Sequence, residues 1–218
     1  KLATCKGPAV GTAGLSLVVV PTAGPLQVAS FVLANTGTST NVVVKLATLG
    51  ATAYWTGSQD TSWNTVGGAG ETNFTLNADG TGGFVLPGAT TDVFFSGNTV
   101  NAANNLTSLN QDFSVNSLNF TGTGTGAATT AYTIGGLSTL TIANGINVDA
   151  ASANHTISSK VALGANQTWT SNGISTQNLT VSGAVSGAFN LTIGGGRTVI
   201  LAGNNSYTNT TVNSGSTL

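Results

Sequence analysis

Acid–base, nucleophilic or metal chemistry in this chain would have to come from six carboxylates, one histidine and one cysteine: Asp60, Glu71, Asp79, Asp92, Asp112, Asp149, His155 and Cys5. Glycoside cleavage needs two carboxyl groups about 5–10 Å apart. In a repeating β fold, that closeness means a separation of one turn, roughly 20 residues. Asp92 and Asp112 have it and could stack on adjacent rungs, but no Arg or Lys lies between them, and Lys160 and Arg197 fall two rungs apart. Asn77-Ala78-Asp79-Gly80 starts like a calcium loop yet lacks the later oxygen ligands and the distal Glu. An Asx turn is expected there. A lone histidine allows no His-pair metal site and no Ser–His–acid triad, and Asn154-His155-Thr156 is expected in a turn. Gly122-Thr-Gly-Thr-Gly126 precedes no helix pattern, so it reads as a loop rather than a phosphate cradle. The acids read as isolated surface or turn residues. No catalytic, cofactor or metal site is expected.

A single cysteine rules out an intrachain disulfide framework. Cys5 is an incidental thiol, a bridge between two chains, or the cysteine of a weak lipobox, Leu2-Ala3-Thr4-Cys5, in which Thr4 stands where Gly or Ala is usual.

Composition removes further classes. Lys and Arg number 5 and Asp and Glu 6, so only 5% of 218 residues are charged and the net charge is −1. Globular proteins carry about 25%. No basic face exists for nucleic acid. The low charge does not indicate disorder, because Val, Ile and Thr recur at short intervals where disordered chains are poor in them. Uncharged β-formers suit stacked strands, in which neighbouring rungs would set like charges opposite each other. The most apolar stretch, residues 15–33, is interrupted by Pro21, Gly24 and Pro25, so no transmembrane helix of ~18 apolar residues is expected. Lys1 and Lys6 precede it as in a signal peptide, without a cleavage site. The chain reads as mature, its leader removed or lying outside this sequence.

Three regions position these residues. Residues 1–50 hold apolar β-branched runs at 15–20, 26–34 and 41–46 separated by Gly/Pro/Thr turns, which is a strand–turn–strand pattern. Continuous apolar runs call for cover on both faces, and fifty residues cannot supply it alone. Residues 51–105 concentrate aromatics: Tyr54 and Trp55, Trp63, Phe94 and Phe95. Residues 106–218 repeat apolar–polar–apolar triplets, among them Phe113-Ser-Val115, Leu118-Asn-Phe120, Leu140-Thr-Ile142, Val161-Ala-Leu163, Leu179-Thr-Val181, Leu191-Thr-Ile193 and Val199-Ile-Leu201. Such alternation marks strands with one buried face. The steps Leu118 to Leu140, Val161 and Leu179 are 22, 21 and 18 residues, which suggests a coil of three short strands.

Residues 203–218, Gly-Asn-Asn-Ser-Tyr-Thr-Asn-Thr-Thr-Val-Asn-Ser-Gly-Ser-Thr-Leu, set Tyr207, Val212 and Leu218 as inward apolar teeth in a Thr/Asn/Ser/Gly ribbon. This stretch resembles the autotransporter-associated β-strand repeat of exported bacterial surface proteins, and residues 162–170 and 179–187 resemble further units of it. Tyr54-Trp-Thr-Gly57, Thr61-Ser-Trp-Asn64 and Leu86-Pro-Gly with Asp92-Val-Phe-Phe95 are similar to the segment that opens many members. Residues 71–74 stand where that segment usually has an Asn-Trp pair. The resemblance covers residues 51–218 and implies an extracellular, cell-surface structural or adhesive protein.

The expected fold is all-β, a right-handed parallel β-helix with an N-terminal β-rich capping or attachment segment (1–50), an aromatic cap over the first turn (51–105) and repeats (106–218). About eight rungs at the ladder spacing would make a rod of about 40 Å. Leu140, Ile142, Leu163, Val181, Leu191, Ile193, Val199 and Leu201 should be buried. Trp169 and Tyr207, the candidates for sugar stacking, are read as pointing inward. The repeat stops at Leu218 without a polar cap, leaving a rung open to strand addition. Leu15, Leu17, Val18, Val19, Val20, Val42, Val43 and Val44 would supply the complementary surface of another copy, giving filaments. Contact with a surface glycan or matrix is the other expected partnership, and a carbohydrate-active or carbohydrate-binding β-helix the alternative function.

Overall fold

The computed structural model describes residues 26–35, 40–96, 104–121, 130–150, 152–172 and 178–218, with backbone alone over 26–35 and 40–47 and at 178. Every regular element in them is a β-strand. β1 (Leu26–Asn35) and β2 (Thr40–Leu49) form an antiparallel hairpin with an irregularity between Val28 and Ser30. Two of the apolar N-terminal runs are therefore strands, and Val42, Val43 and Val44 lie in β2. Leu15, Leu17, Val18, Val19 and Val20 lie outside the described residues, as do Cys5 and the glycines at 122–126.

The hairpin joins the remainder through β2. β3 (Thr52–Trp55) pairs antiparallel with β4 (Phe74–Thr75), β4 antiparallel with β5 (Phe84–Leu86), and β5 parallel with β2. β3 also takes β6 (Asp92–Phe95) in parallel. Beyond β6 every strand pairing is parallel. β7 (Leu106–Ser108), β8 (Phe113–Val115) and β9 (Ser117–Phe120) form one coil. On it lie β10 (Thr133–Gly135), β11 (Thr139–Ile142) and β12 (Ile146–Val148), strand over strand. The next coil is β13 (His155–Ile157), β14 (Lys160–Leu163) and β15 (Gln167–Ser171). Then come β16 (Asn178–Val181) with β17 (Val185–Gly194), and β18 (Thr198–Leu201) with β19 (Ser206–Val212). β17 runs round a corner and serves two faces, pairing both β14 and β15. The chain is a three-faced parallel β-solenoid that passes the β7 face again at β10, β13, β16 and β18. The longest stack, β3–β6–β9–β12–β15–β17–β19, spans roughly 30 Å at the ladder spacing, shorter than the rod expected from sequence.

Alternation fixes what each rung buries. Ala53, Val93, Leu118, Ile146, Trp169 and Ile193 form one inward column in unbroken register, each at most 2% exposed. Burying one such aliphatic side chain contributes about 1.5–3 kcal/mol. Of the eight side chains expected inside, seven are buried; Leu201 is half-buried against the same core. Val212 sits in register on Ile193 yet is exposed, as is Leu218, whose neighbour Thr217 bridges Thr198. These two expected teeth are not enclosed, because no further rung covers them among the described residues.

The register differs from the spacing argument. Leu118 pairs with Ile146, not Leu140, and Val161 pairs with Val185, not Leu179. Only Leu140 and Val161 are true rung neighbours. All three faces carry the same triplet, so distances along the chain mixed strands of different faces.

The first coils are filled by aromatic rings. Phe74 meets Trp55 and Trp63 edge-on at 5.0 and 5.4 Å, Phe95 leans on both, and Phe120 stacks on Phe95 at 5.4 Å. Trp63 Nε1 donates to Thr107 Oγ1 at 3.0 Å, which explains a buried threonine on an inward position. Asn73, fully buried, organises the loop over this cluster. Its Oδ1 accepts from the Gln59 and Asp60 N–H groups, and its Nδ2 donates to Asp60 Oδ1 and the Ser62 carbonyl.

Close rung contact requires glycine at one corner in particular: a Cβ on Gly183 would overlap the Ser159 carbonyl oxygen, whereas a Cβ on Gly194 would meet nothing nearer than 3.5 Å. Gly183→Ala should therefore cost about 2 kcal/mol or more and lower Tm by about 4–8 °C, while Gly194→Ala stays within about 1 °C of the parent. Equal melting temperatures for the two variants would refute this corner geometry.

Candidate functional site

The carboxylates are dispersed and engaged locally. Asp60 accepts from Ser62 N, Asn73 Nδ2 and Thr65 Oγ1. Glu71 Oε2 accepts from Ala69 N, Asp112 Oδ1 from Thr139 N, and Asp149 Oδ1 from Asn147 Nδ2. Asp79 Oδ1 accepts both the Thr81 hydroxyl and its N–H, and these bonds hold the carboxyl below its ordinary range. That is the turn expected at residues 77–80. Asp92 Oδ1 takes Asn116 Nδ2 at 2.7 Å and Ser117 Oγ at 2.6 Å.

Asp92 and Asp112 do not stack, contrary to the spacing argument. Asp92 is in register with Ser117 on one face, and Asp112 stands at the foot of β8 on another. The coil from β6 to β9 is longer than the spacing assumed. Among the described residues no three His, Cys, Asp or Glu side chains gather where a metal ion would sit.

His155 is in strand β13, not in a turn, and is 1% exposed. Its Nε2 lies 2.8 Å from Ser152 Oγ, and Nδ1 accepts the Tyr132 backbone N–H at 3.2 Å. The tautomer follows: Nε2 carries the proton. A serine and a histidine at this distance have the spacing of a nucleophile and its base. Ser152 is 1% exposed too, no carboxylate orients the ring, and Nε2 is a donor, so it cannot take the hydroxyl proton. The pair is a sealed structural contact. Sequence reasoning missed it because a polar residue broke the apolar triplet at 155–157.

The outer faces carry the remaining candidates. Trp169 is buried, as expected, with Nε1 donating to Gln167 Oε1; Tyr207 is half-buried and its hydroxyl meets Thr210 Oγ1. Outward aromatics include the exposed Phe84 and Phe189 and the half-buried pair Tyr54 and Phe94, stacked at 4.6 Å and 15°. Each ring of the pair covers one face of the other. Contiguous aromatics concealed these two, but period two places Tyr54 outside once Trp55 is inside, and Phe94 outside once Phe95 is.

Further along the same face, Asn190 N–H donates to Asn166 Oδ1 and Asn209 Nδ2 to Asn190 Oδ1. Beside this asparagine column run Thr168, Thr192 and Thr211, in register on successive rungs. A shallow trough of about 550 Å³ lies between the two columns, lined by uncharged amides and hydroxyls. No helix of the described residues is long and apolar enough to cross a membrane.

Compared with known proteins, the chain matches no family model, no curated protein and no solved structure.

A fluorophosphonate probe should leave Ser152 unmodified in the folded chain, as read by peptide mass spectrometry; labelling would show the Ser152–His155 pair to be open and reactive. Chelator should leave Tm unchanged, and a fall of several degrees restored by calcium would reveal a metal site at residues 77–80 or elsewhere.

Proposed function

We propose that this chain is a non-catalytic structural segment of an extracellular bacterial surface protein, a β-solenoid rod that serves as stalk, fibre or coat. One observation carries this reading: parallel ladders stack rung on rung around a continuous apolar core, while the outer columns are mostly uncharged and polar. Such a ladder adds length without needing a new kind of core, since each coil contacts only its neighbours.

The resemblance to autotransporter-associated repeats supports the reading. Within residues 203–218, Tyr207 falls on Gly187 and Val212 on Ile193, so the repeat is one layer of the stack. The Asn-Trp pair of that family's opening segment is missing, and residues 71–74, which stand roughly there, put the Asn73 amide in the loop network and the Phe74 ring between two tryptophans. The adhesive part of the reading rests on the Asn/Thr trough, whose amides and hydroxyls suit uncharged sugars better than ions.

Self-association through residues 15–20 and 42–44 belongs to the same proposal. Sedimentation and negative-stain images of the full chain at high concentration should show end-to-end or edge-to-edge assemblies, and Val43→Lys should shift the population toward monomer. A compact particle that remains monomeric would sink the assembly reading. A glycan array tests adhesion, and binding that survives Asn190→Asp with Thr192→Lys would move it away from the trough.

A further inference from the structure

The solenoid interior holds the chain's single imidazole, His155, and it lies in a column with Tyr132 on the preceding rung and Leu179 on the following one. Its surroundings are complete for a neutral imidazole and wrong for a charged one. Phe120 stacks on the ring at 4.1 Å and 15°, and the Tyr132 ring lies at 5.8 Å and 20°. Nδ1 is occupied as an acceptor by the Tyr132 N–H, and Nε2 as a donor by Ser152 Oγ. A second proton would have to go on Nδ1, setting one N–H against another and leaving a backbone donor without its acceptor.

Among the described residues, no group facing the ring would compensate the charge. From β9 the facing group is Phe120; from the segment leading into β10 it is Tyr132, whose phenol burial holds neutral; from β16 it is Leu179. The corner 149–154 contributes Ser152, and its one carboxylate, Asp149, is taken by Asn147 Nδ2. Attraction between an imidazolium and the Phe120 face would offset part of the cost of losing water, not the lost hydrogen bond.

We propose that His155 is an acid-operated latch: on gaining a proton it releases Ser152 and the Tyr132 N–H and parts the rung between β10 and β13, while the outer rungs stay paired. Ser152 N–H donates to the Asp149 carbonyl, and Asp149 N–H to the Phe120 carbonyl of the preceding rung, so Ser152 is held by one backbone bond besides its contact with His155. The rung is also thin, because β10 and β13 share only the pairs Thr133–Thr156 and Ile134–Ile157.

The sign of the pH dependence follows from burial, which pushes the His155 pKa down from 6.5 to about 3. The closed state therefore refuses a proton that the open state accepts. The latch is at full strength above pH 6.5, weakens as pH falls from 6.5 toward 3, and loses nothing further below that. Within the window the opening constant rises about tenfold per pH unit, hence about 100-fold by pH 4.5.

The full chain contains one histidine, so its imidazole resonance can be followed without assignment ambiguity. The expected result is no titration near 6.5 in the folded protein. Amide exchange, corrected for intrinsic rate, should accelerate about 100-fold between pH 7 and 4.5 at residues 130–135 and 152–157. It should change far less in β17 and β19, and His155→Gln should abolish the difference. An imidazole that titrates near 6.5 without opening overturns the proposal. So does equal acceleration on every rung, or an unchanged profile in His155→Gln, which would assign the effect to carboxylates. If His155→Gln fails to fold, the imidazole titration and the rung-by-rung exchange of the unmodified chain still decide.

Discussion

Each rung of this molecule can bury its apolar edge only against the rung beside it, and everything else follows from keeping those edges in register. A slip of one residue would turn a whole strand inside out. Strict alternation therefore holds wherever the ladder is regular: Leu140 and Ile142 enter while Thr139 and Thr141 stay at the surface, and the same applies to Leu191, Ile193 and Thr192. Parallel pairing transmits the choice upward, so a column such as Ala53 to Ile193 is a single decision repeated. Corners adjust to it by using residues without a side chain where rungs touch most closely, as Gly183 does against Ser159.

The first coils solve a different problem. A stack of thin aliphatic layers has an apolar cross-section that must be closed, and here closure is by ring volume. Trp55, Trp63 and Phe74 fill the space that the short strands β3 and β4 leave open, and their polar atoms are returned to the backbone or to Thr107. Asn73 acts from beneath the loop, giving the Gln59 and Asp60 N–H groups an acceptor in a place water does not reach. The transition to aliphatic layers passes through the Phe120–His155 stack, which is why a polar ring is tolerated there and why its protonation matters.

The strand class, the triplets and most of the buried apolar side chains were legible in the sequence, because period two is visible in short windows such as 113–115 or 199–201. The pairing was not. Three faces carry the same pattern, so nothing in the spacing of Leu118, Leu140 and Leu179 reveals that they belong to separate stacks. His155 escaped because the rule equates polar with outside, and its place is set by two hydrogen bonds and a ring stack that involve distant residues. The supposed Asp92–Asp112 pair failed for the same reason as the register: a coil longer than the average moved Ser117 into the place assumed for Asp112. Tyr54 and Phe94 were hidden by their neighbours, since an aromatic next to an aromatic looks like core on both sides.

The acids of this chain are held by amides, hydroxyls and backbone N–H groups: Asp92 by Asn116 and Ser117, Asp60 by Ser62, Thr65 and Asn73, Asp149 by Asn147. Hydrogen bonds of this kind do not depend on opposite charges meeting through solvent, so the Debye length has almost nothing to act upon. For these three acids, the surrounding salt can rise or fall without changing which groups hold them.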